Sequence, residues 1–287
     1  MLDVCANSSF ALLLGAVGIA GLIFESIKLM AILLAPFVGY AMIIHWLEHI
    51  TQTRMAERFG WKSVIWTGWL GTPIHELSHA IMCPIFRHRV DEVALFEPDR
   101  QSGRLGYVRH SFTPGNWYQE FGNFFIGIAP LIGGSLALTA LLWLFYPGAI
   151  AAAYQTAGNL PGDATPLQGL YQIVSSCFAE MAAATHLLTA RFWLFCYLVL
   201  CVGGHMAPSP SDYEGASRGF VFVGGGLFLF TLILAANGTD SRSLVASMVG
   251  LLGPLFAVFG FAIVLCSISA IIVWGVTALF PQRYTVR

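Results

Sequence analysis

Residues 63–85 read SVIWTGWLGTPIHELSHAIMCPI. A helix needs about 20 mostly apolar residues to cross a bilayer, and this stretch is long enough. It nevertheless carries His75, Glu76 and His79, three ionisable side chains within five residues. Their order is H-E-x-x-H. On a helix, residues i and i+4 share a face, so both imidazoles can reach one metal ion. Glu76, beside the first imidazole, can take a proton from a water held there. A charged residue at the bilayer centre costs about 2.5–3.5 kcal/mol on insertion scales. A metal that keeps the imidazoles neutral offsets that cost, so the stretch reads as a membrane helix carrying a metal site.

The rest of the chain agrees with a lipid solvent. Of 287 residues, 57% are hydrophobic and 10% are charged, against about 25% charged in an average soluble domain. Such a chain cannot coat a water-facing surface, and it is too apolar for disorder. The net charge of −1 excludes an electrostatic case for nucleic acid. The six cysteines show no C-x-x-C pair and no disulfide framework. Met1–Ser9 has no basic n-region, so the first apolar run is expected to stay as an anchor.

Hydropathy predicts an all-α polytopic membrane protein of about six transmembrane helices, with a small β-hairpin after the zinc-motif helix. An N-terminal anchor and connector cover 1–62. The core covers 63–236, with the metal-motif helix at 63–85, a hairpin region at 87–114 and a span at 121–146. A loop at 147–189 and spans at 190–206 and 220–236 complete it. A last span and a short tail cover 237–287. The run from Phe10 to Trp46 is either two short spans or one long kinked one. Gly15, Gly18 and Gly21 suit close helix packing there. The hairpin is read from Val90–Phe96 and Arg104–Phe112, which flank the turn-rich Glu-Pro-Asp-Arg-Gln-Ser-Gly.

Arg and Lys set the expected orientation. The hairpin region holds five Arg, the 147–190 loop holds neither Arg nor Lys, and Arg283 and Arg287 close the chain. The hairpin and tail are therefore expected in the cytoplasm and the long loop outside. Arg54, Arg58 and Lys62 run against this and are partly offset by Glu48 and Glu57.

A third metal ligand must come from another segment. The richest is Gly203–Gly215, where Pro208 and Pro210 break the helix and expose backbone groups. Membrane proteins accept such a break where the backbone is buried or lines a wet cavity. Asp212 is the oxygen ligand of choice, with His205 and Glu214 as rivals and His186 expected on the far side. A second motif, His45-Trp46-Leu47-Glu48-His49, has the inverted form H-x-x-E-H. It lies at the edge of an apolar run, where such residues are ordinary interfacial ones.

Three motifs together resemble the site-2 protease class of intramembrane zinc metalloproteases. His75–His79 matches the zinc helix. Ala129-Pro130-Leu131 resembles the family's Gly-Pro-Leu core. His205-x-x-Pro208-x-Pro210-x-Asp212 resembles its Asn-x-x-Pro-x-Pro-x-x-Asp-Gly segment. The likeness covers roughly 63–236. It departs from the family at His205, which replaces Asn, at Asp212, which comes one residue early, and at Gly133.

The resemblance implies a Zn2+ cofactor held by His75, His79 and Asp212, with Glu76 as general base. His205 or Asn123 would steady the developing oxyanion, and an extended substrate would lie against Leu105, Gly106, Tyr107, Val108 and Arg109. The implied partners are the lipid bilayer and a single-span membrane-protein substrate. Compactness without eukaryotic targeting features points to a bacterial inner membrane, and the Arg/Lys distribution to a site facing the cytoplasm. A zinc-containing membrane binding or regulatory protein without catalysis is the alternative. A metal transporter fits less well, because the spans after 220 lack the charged or His residues that would line a path.

Overall fold

The structure is a computed structural model that describes residues 2–159, 166–182 and 189–284. Its elements run α1 (Leu2–Phe59), α2 (Trp61–Ile85), β1 (Arg89–Ala94), β2 (Tyr107–Ser111), α3 (Trp117–Phe145), α4 (Pro147–Gly158), α5 (Pro166–Met181), α6 (Ala190–Gly203), α7 (Pro210–Ala236) and α8 (Ser241–Ala278). Four stretches are long and apolar enough to cross a bilayer: Gly18–Phe59, Trp117–Phe145, Pro210–Ala236 and Leu255–Ala278. The chain is a membrane protein on that ground, with four such spans among the described residues rather than six.

The two expected spans that fall short do so for different reasons. Helix α6 has 14 residues, which at 1.5 Å per residue is about 21 Å, too short for a core about 30 Å thick. Helix α2 has the length at 25 residues, but His75, Glu76, Ser78, His79 and its Thr and Gly residues dilute its hydropathy. The first apolar stretch is one helix kinked at Gly18, whose φ of 68° and ψ of 161° are not helical. Gly18 has nothing within 4 Å of where a Cβ would sit. It therefore serves as a bend rather than the packing contact expected from its spacing.

In lipid, helix association relies on close packing rather than on escape from water. Helix α3 packs against both α2 and α7. A Cβ on Gly127 would lie 2.6 Å from the Asp212 carbonyl oxygen and 2.7 Å from Ala216 Cβ. A Cβ on Gly219 would run into the Phe124 backbone nitrogen. These two positions let the start of α7 reach α3 at backbone distance. The core adds Tyr40, stacked on Phe259 with centroids 4.0 Å apart and hydrogen-bonded to Ser135 at 2.5 Å. A ring pair of this kind contributes about 0.5–1.5 kcal/mol.

Helix α2 ends in a tight reversal. The N–H of His88 donates to the Cys83 carbonyl and that of Arg87 to the Pro84 carbonyl, with Arg87 in the left-handed region at φ 59°. This paired bonding is the Schellman motif, with Arg where Gly is usual. It turns the chain into the hairpin, whose strands pair antiparallel from Arg89↔Ser111 to Ala94↔Tyr107 with a bulge between Val90 and Glu92. Beyond the strands the pairing continues through Glu97 N–H to Leu105 O and Asp99 N–H to Arg104 O. The hairpin thus lies where its sequence pattern put it. Within the 147–189 region expected as a loop, the described residues form helices α4 and α5, which pack on each other.

Candidate metal centre and its cleft

The α2 helix sets His75 and His79 one turn apart, with their Nε2 atoms 3.2 Å from each other. Asp212, in the first turn of α7, faces both. Its Oδ2 lies 3.3 Å from His75 Nε2 and its Oδ1 lies 3.2 Å from His79 Nε2. The side chains are nearly sequestered, at 12%, 7% and 16% exposure. Among the described residues this is the one group of three or more His, Cys, Asp or Glu positioned to hold a metal ion, with ligand atoms within 4.8 Å of one another.

Each member is oriented from behind. His75 Nδ1 is 2.9 Å from the His205 carbonyl oxygen, and His79 Nδ1 is 2.7 Å from that of Ile126. A carbonyl only accepts, so both Nδ1 atoms carry the hydrogen and, in neutral rings, both Nε2 atoms present lone pairs. Two lone pairs facing each other at 3.2 Å repel unless a proton or a cation joins them. Asp212 Oδ2 accepts from both the N–H and the Oγ of Ser209, each at 2.7 Å. Ser209 is also the N-cap of α7, in a reciprocal capping box with Asp212. Outer-shell bonds of this kind fix ring tautomer and carboxylate orientation in metal sites.

The cluster lies in a cleft of about 750 Å³. The residues assigned to the site by resemblance all line it: His75, Glu76, His79, Asn123, His205, Asp212 and the 105–109 segment. Glu76 is 8% exposed and sits within electrostatic reach of His75, His79, Asp212 and Arg104. Asn123, 4% exposed, directs Nδ2 at Glu120 Oε2, 3.4 Å away. His205 lines the cleft with its ring Nε2 turned toward Gln52 of α1 and Thr67 of α2. Its Nε2 is 3.0 Å from both Gln52 Nε2 and Thr67 Oγ1, and its carbonyl, not its ring, meets His75. The rival Glu214 is exposed and outside the cluster, and His186 lies outside the described residues.

One wall of the cleft is the hairpin. Gly106 lies against the Ala94 and Leu95 carbonyls and Thr72, so a Cβ there would meet them at 2.8–2.9 Å. Tyr107 donates to Glu92 at 2.6 Å, and Arg109 bonds the same carboxylate at 2.8 Å. The bond to Glu92 holds the Tyr107 phenol above its ordinary pKa. The guanidinium groups of Arg104 and Arg109 lie 4.4 and 4.9 Å from the Tyr107 ring centroid. At the hairpin base, His88 Nε2–H donates to the Gln119 carbonyl, so its Nδ1 accepts from His110 Nδ1, 3.0 Å away. Burial, the largest cause, holds His110 below the ordinary imidazole pKa.

Sequence reasoning missed the supports. The Ile126 carbonyl has no side-chain signature. Ser209 did have one, because Ser followed three residues later by Asp is a capping pattern. Compared with known proteins, the chain matches no family model, no curated protein and no solved structure.

Proposed function

We propose that the protein is a zinc-dependent intramembrane endopeptidase of the site-2 protease kind. The observation that carries this reading is the convergence of His75 Nε2, His79 Nε2 and the Asp212 carboxylate at 3.2–3.3 Å. In a tetrahedral zinc site with bonds of about 2.0 Å, neighbouring ligand atoms are about 3.3 Å apart. The donor set, two imidazoles and one carboxylate, is that of catalytic zinc, which keeps one position open. A structural site has no need of a carboxylate beside its ligands, and Glu76 is there.

A zinc ion bound here supplies Lewis-acid polarisation of the scissile carbonyl and lowers the pKa of a water to about 7. Glu76 takes the proton of the attacking water on its carboxylate and returns it to the leaving amine as the C–N bond breaks. Asn123 donates its side-chain N–H to the oxyanion that develops on the carbonyl oxygen. A substrate helix has its backbone bonds satisfied internally, so it must unwind before attack. The 105–109 segment along the cleft offers backbone partners that hold it extended, as in strand addition. The substrate is a membrane protein, single-span by preference. The arginine-rich hairpin supports a cytoplasmic-side site in a bacterial inner membrane.

The test compares membrane proteomes of cells carrying wild-type protein and Glu76→Gln, alongside zinc content of both purified proteins. The expected result is accumulation of uncleaved substrate in the variant with zinc retained at one per chain. Equal proteomes with zinc retained would favour a non-catalytic zinc protein.

A further inference from the structure

The H-x-x-E-H sequence at 45–49 has the makings of a second metal site, yet its residues do not converge. His45 and His49 are exposed. The His45 ring stands edge-on to Tyr213, 6.2 Å between centroids. Glu48 points elsewhere: its Oε2 accepts the N–H of Ala207 at 2.7 Å. One helical turn on, Gln52 Nε2 donates to the Gly204 carbonyl at 2.7 Å and lies 3.0 Å from His205 Nε2. Two residues on one face of α1 therefore grip the 204–207 turn on both sides of His205. The carbonyl between those grips is the one that receives His75 Nδ1–H.

We propose that Glu48 is a positioning residue for the metal centre: it clamps the 204–207 turn so that the His205 carbonyl fixes the tautomer and direction of His75. The inference rests on the metal reading above and extends it to α1, which contributes no ligand. The physical need is plain. The Gly204 and His205 N–H groups bond back to the Leu200 and Val202 carbonyls of α6, whereas Ala207 is buried and an unpaired N–H there is costly. A carboxylate from α1 satisfies the Ala207 donor and ties the turn to a long span. Glu48 acts as an acceptor here, so a neutral amide oxygen of the same reach does the same work. A role as a metal ligand or as a required charge has no such tolerance.

The experiment measures Zn2+ affinity by chelator competition on the full chain in detergent, for wild type, Glu48→Gln and Glu48→Met. The Met variant keeps the length and suits lipid but offers no strong acceptor. Cobalt(II) absorption reports the coordination geometry, and thermal melting reports folding. Glu48→Met is expected to bind zinc about tenfold or more weakly, in line with losses of outer-shell partners. Its cobalt bands should shift, while Glu48→Gln stays within about threefold of wild type on that same scale. All three proteins, and His45→Ala/His49→Ala, should bind one zinc per chain. Wild-type affinity in Glu48→Met, or equal loss in the Gln and Met variants, would overturn the positioning role. If Glu48→Met melts early, loss of zinc in a well-folded Glu48→Gln still overturns it, and retention there supports it. Absence of zinc from wild type would instead sink the metal reading itself.

Discussion

His75 and His79 face each other through their Nε2 atoms at 3.2 Å, while their Nδ1 hydrogens are committed to carbonyls from two different parts of the chain. The pair is thus pre-set in the tautomer a metal requires before any ion arrives. The entropy of orienting two imidazoles is spent in folding, not in binding.

Asp212→Asn should reduce zinc affinity by more than about 100-fold, beyond the 10–100-fold range of an outer partner. The amide keeps the side chain's size but loses its charge. Chelator competition measures this, and near-native affinity would remove Asp212 from the ligand set.

Ser209→Ala removes the hydroxyl that both caps α7 and bonds Asp212 Oδ2. Loss of an N-cap costs about 1 kcal/mol, and zinc affinity should fall about tenfold. A matched fall in melting temperature and affinity is expected. A change in melting alone would mean that the cap matters but the carboxylate is held by other contacts.

Gly127→Ala tests the α3–α7 seam. The added methyl meets the Asp212 carbonyl and Ala216, and overpacking of this kind costs about 1–3 kcal/mol. The start of α7 must shift, so zinc affinity should fall with stability. Gly225, in the same helix as Asp212, has open space around it, and Gly225→Ala should leave zinc affinity unchanged and, if anything, stabilise the helix by about 0.5–1 kcal/mol.

His110 gives a pH dependence outside the spans. Its pKa is lowered, chiefly by burial. A folded-state pKa below the unfolded one favours the neutral ring in the fold. Its contribution to stability is therefore present above about pH 6.5, the ordinary imidazole value. It is lost as pH falls through the depressed folded value. Hydrogen exchange of hairpin amides should speed up on acidification in wild type and less so in His110→Gln.

The fold was legible wherever local chemistry was strong. The hairpin announced itself by alternation around a turn-rich centre, and the H-E-x-x-H face by a spacing that only a helix makes useful. The span count was not, because hydropathy adds up residues and cannot see that α6 stops at Gly203 after 14 residues. Nor could it see that the Thr, Gly and His of α2 serve packing and the site. Asp212 stood out by its proline-broken setting and by resemblance. The supports did not, because Ile126 and His205 act through backbone carbonyls that any residue carries. Glu48 was visible as a carboxylate at the edge of an apolar run, but its partner, the Ala207 N–H, lies 159 residues away.

The dispersed origin of the backbone supports has a practical corollary for anyone wishing to graft this chemistry elsewhere. A synthetic peptide copying 63–85 would carry both imidazoles and their neighbouring carboxylate, yet it would leave behind the carbonyls of Ile126 and His205 and the serine behind Asp212. It would behave as a floppy dihistidine chelator, taking up copper or nickel as readily as anything else. Any metal selectivity of the proposed site would belong to the assembled bundle and not to a fragment of it.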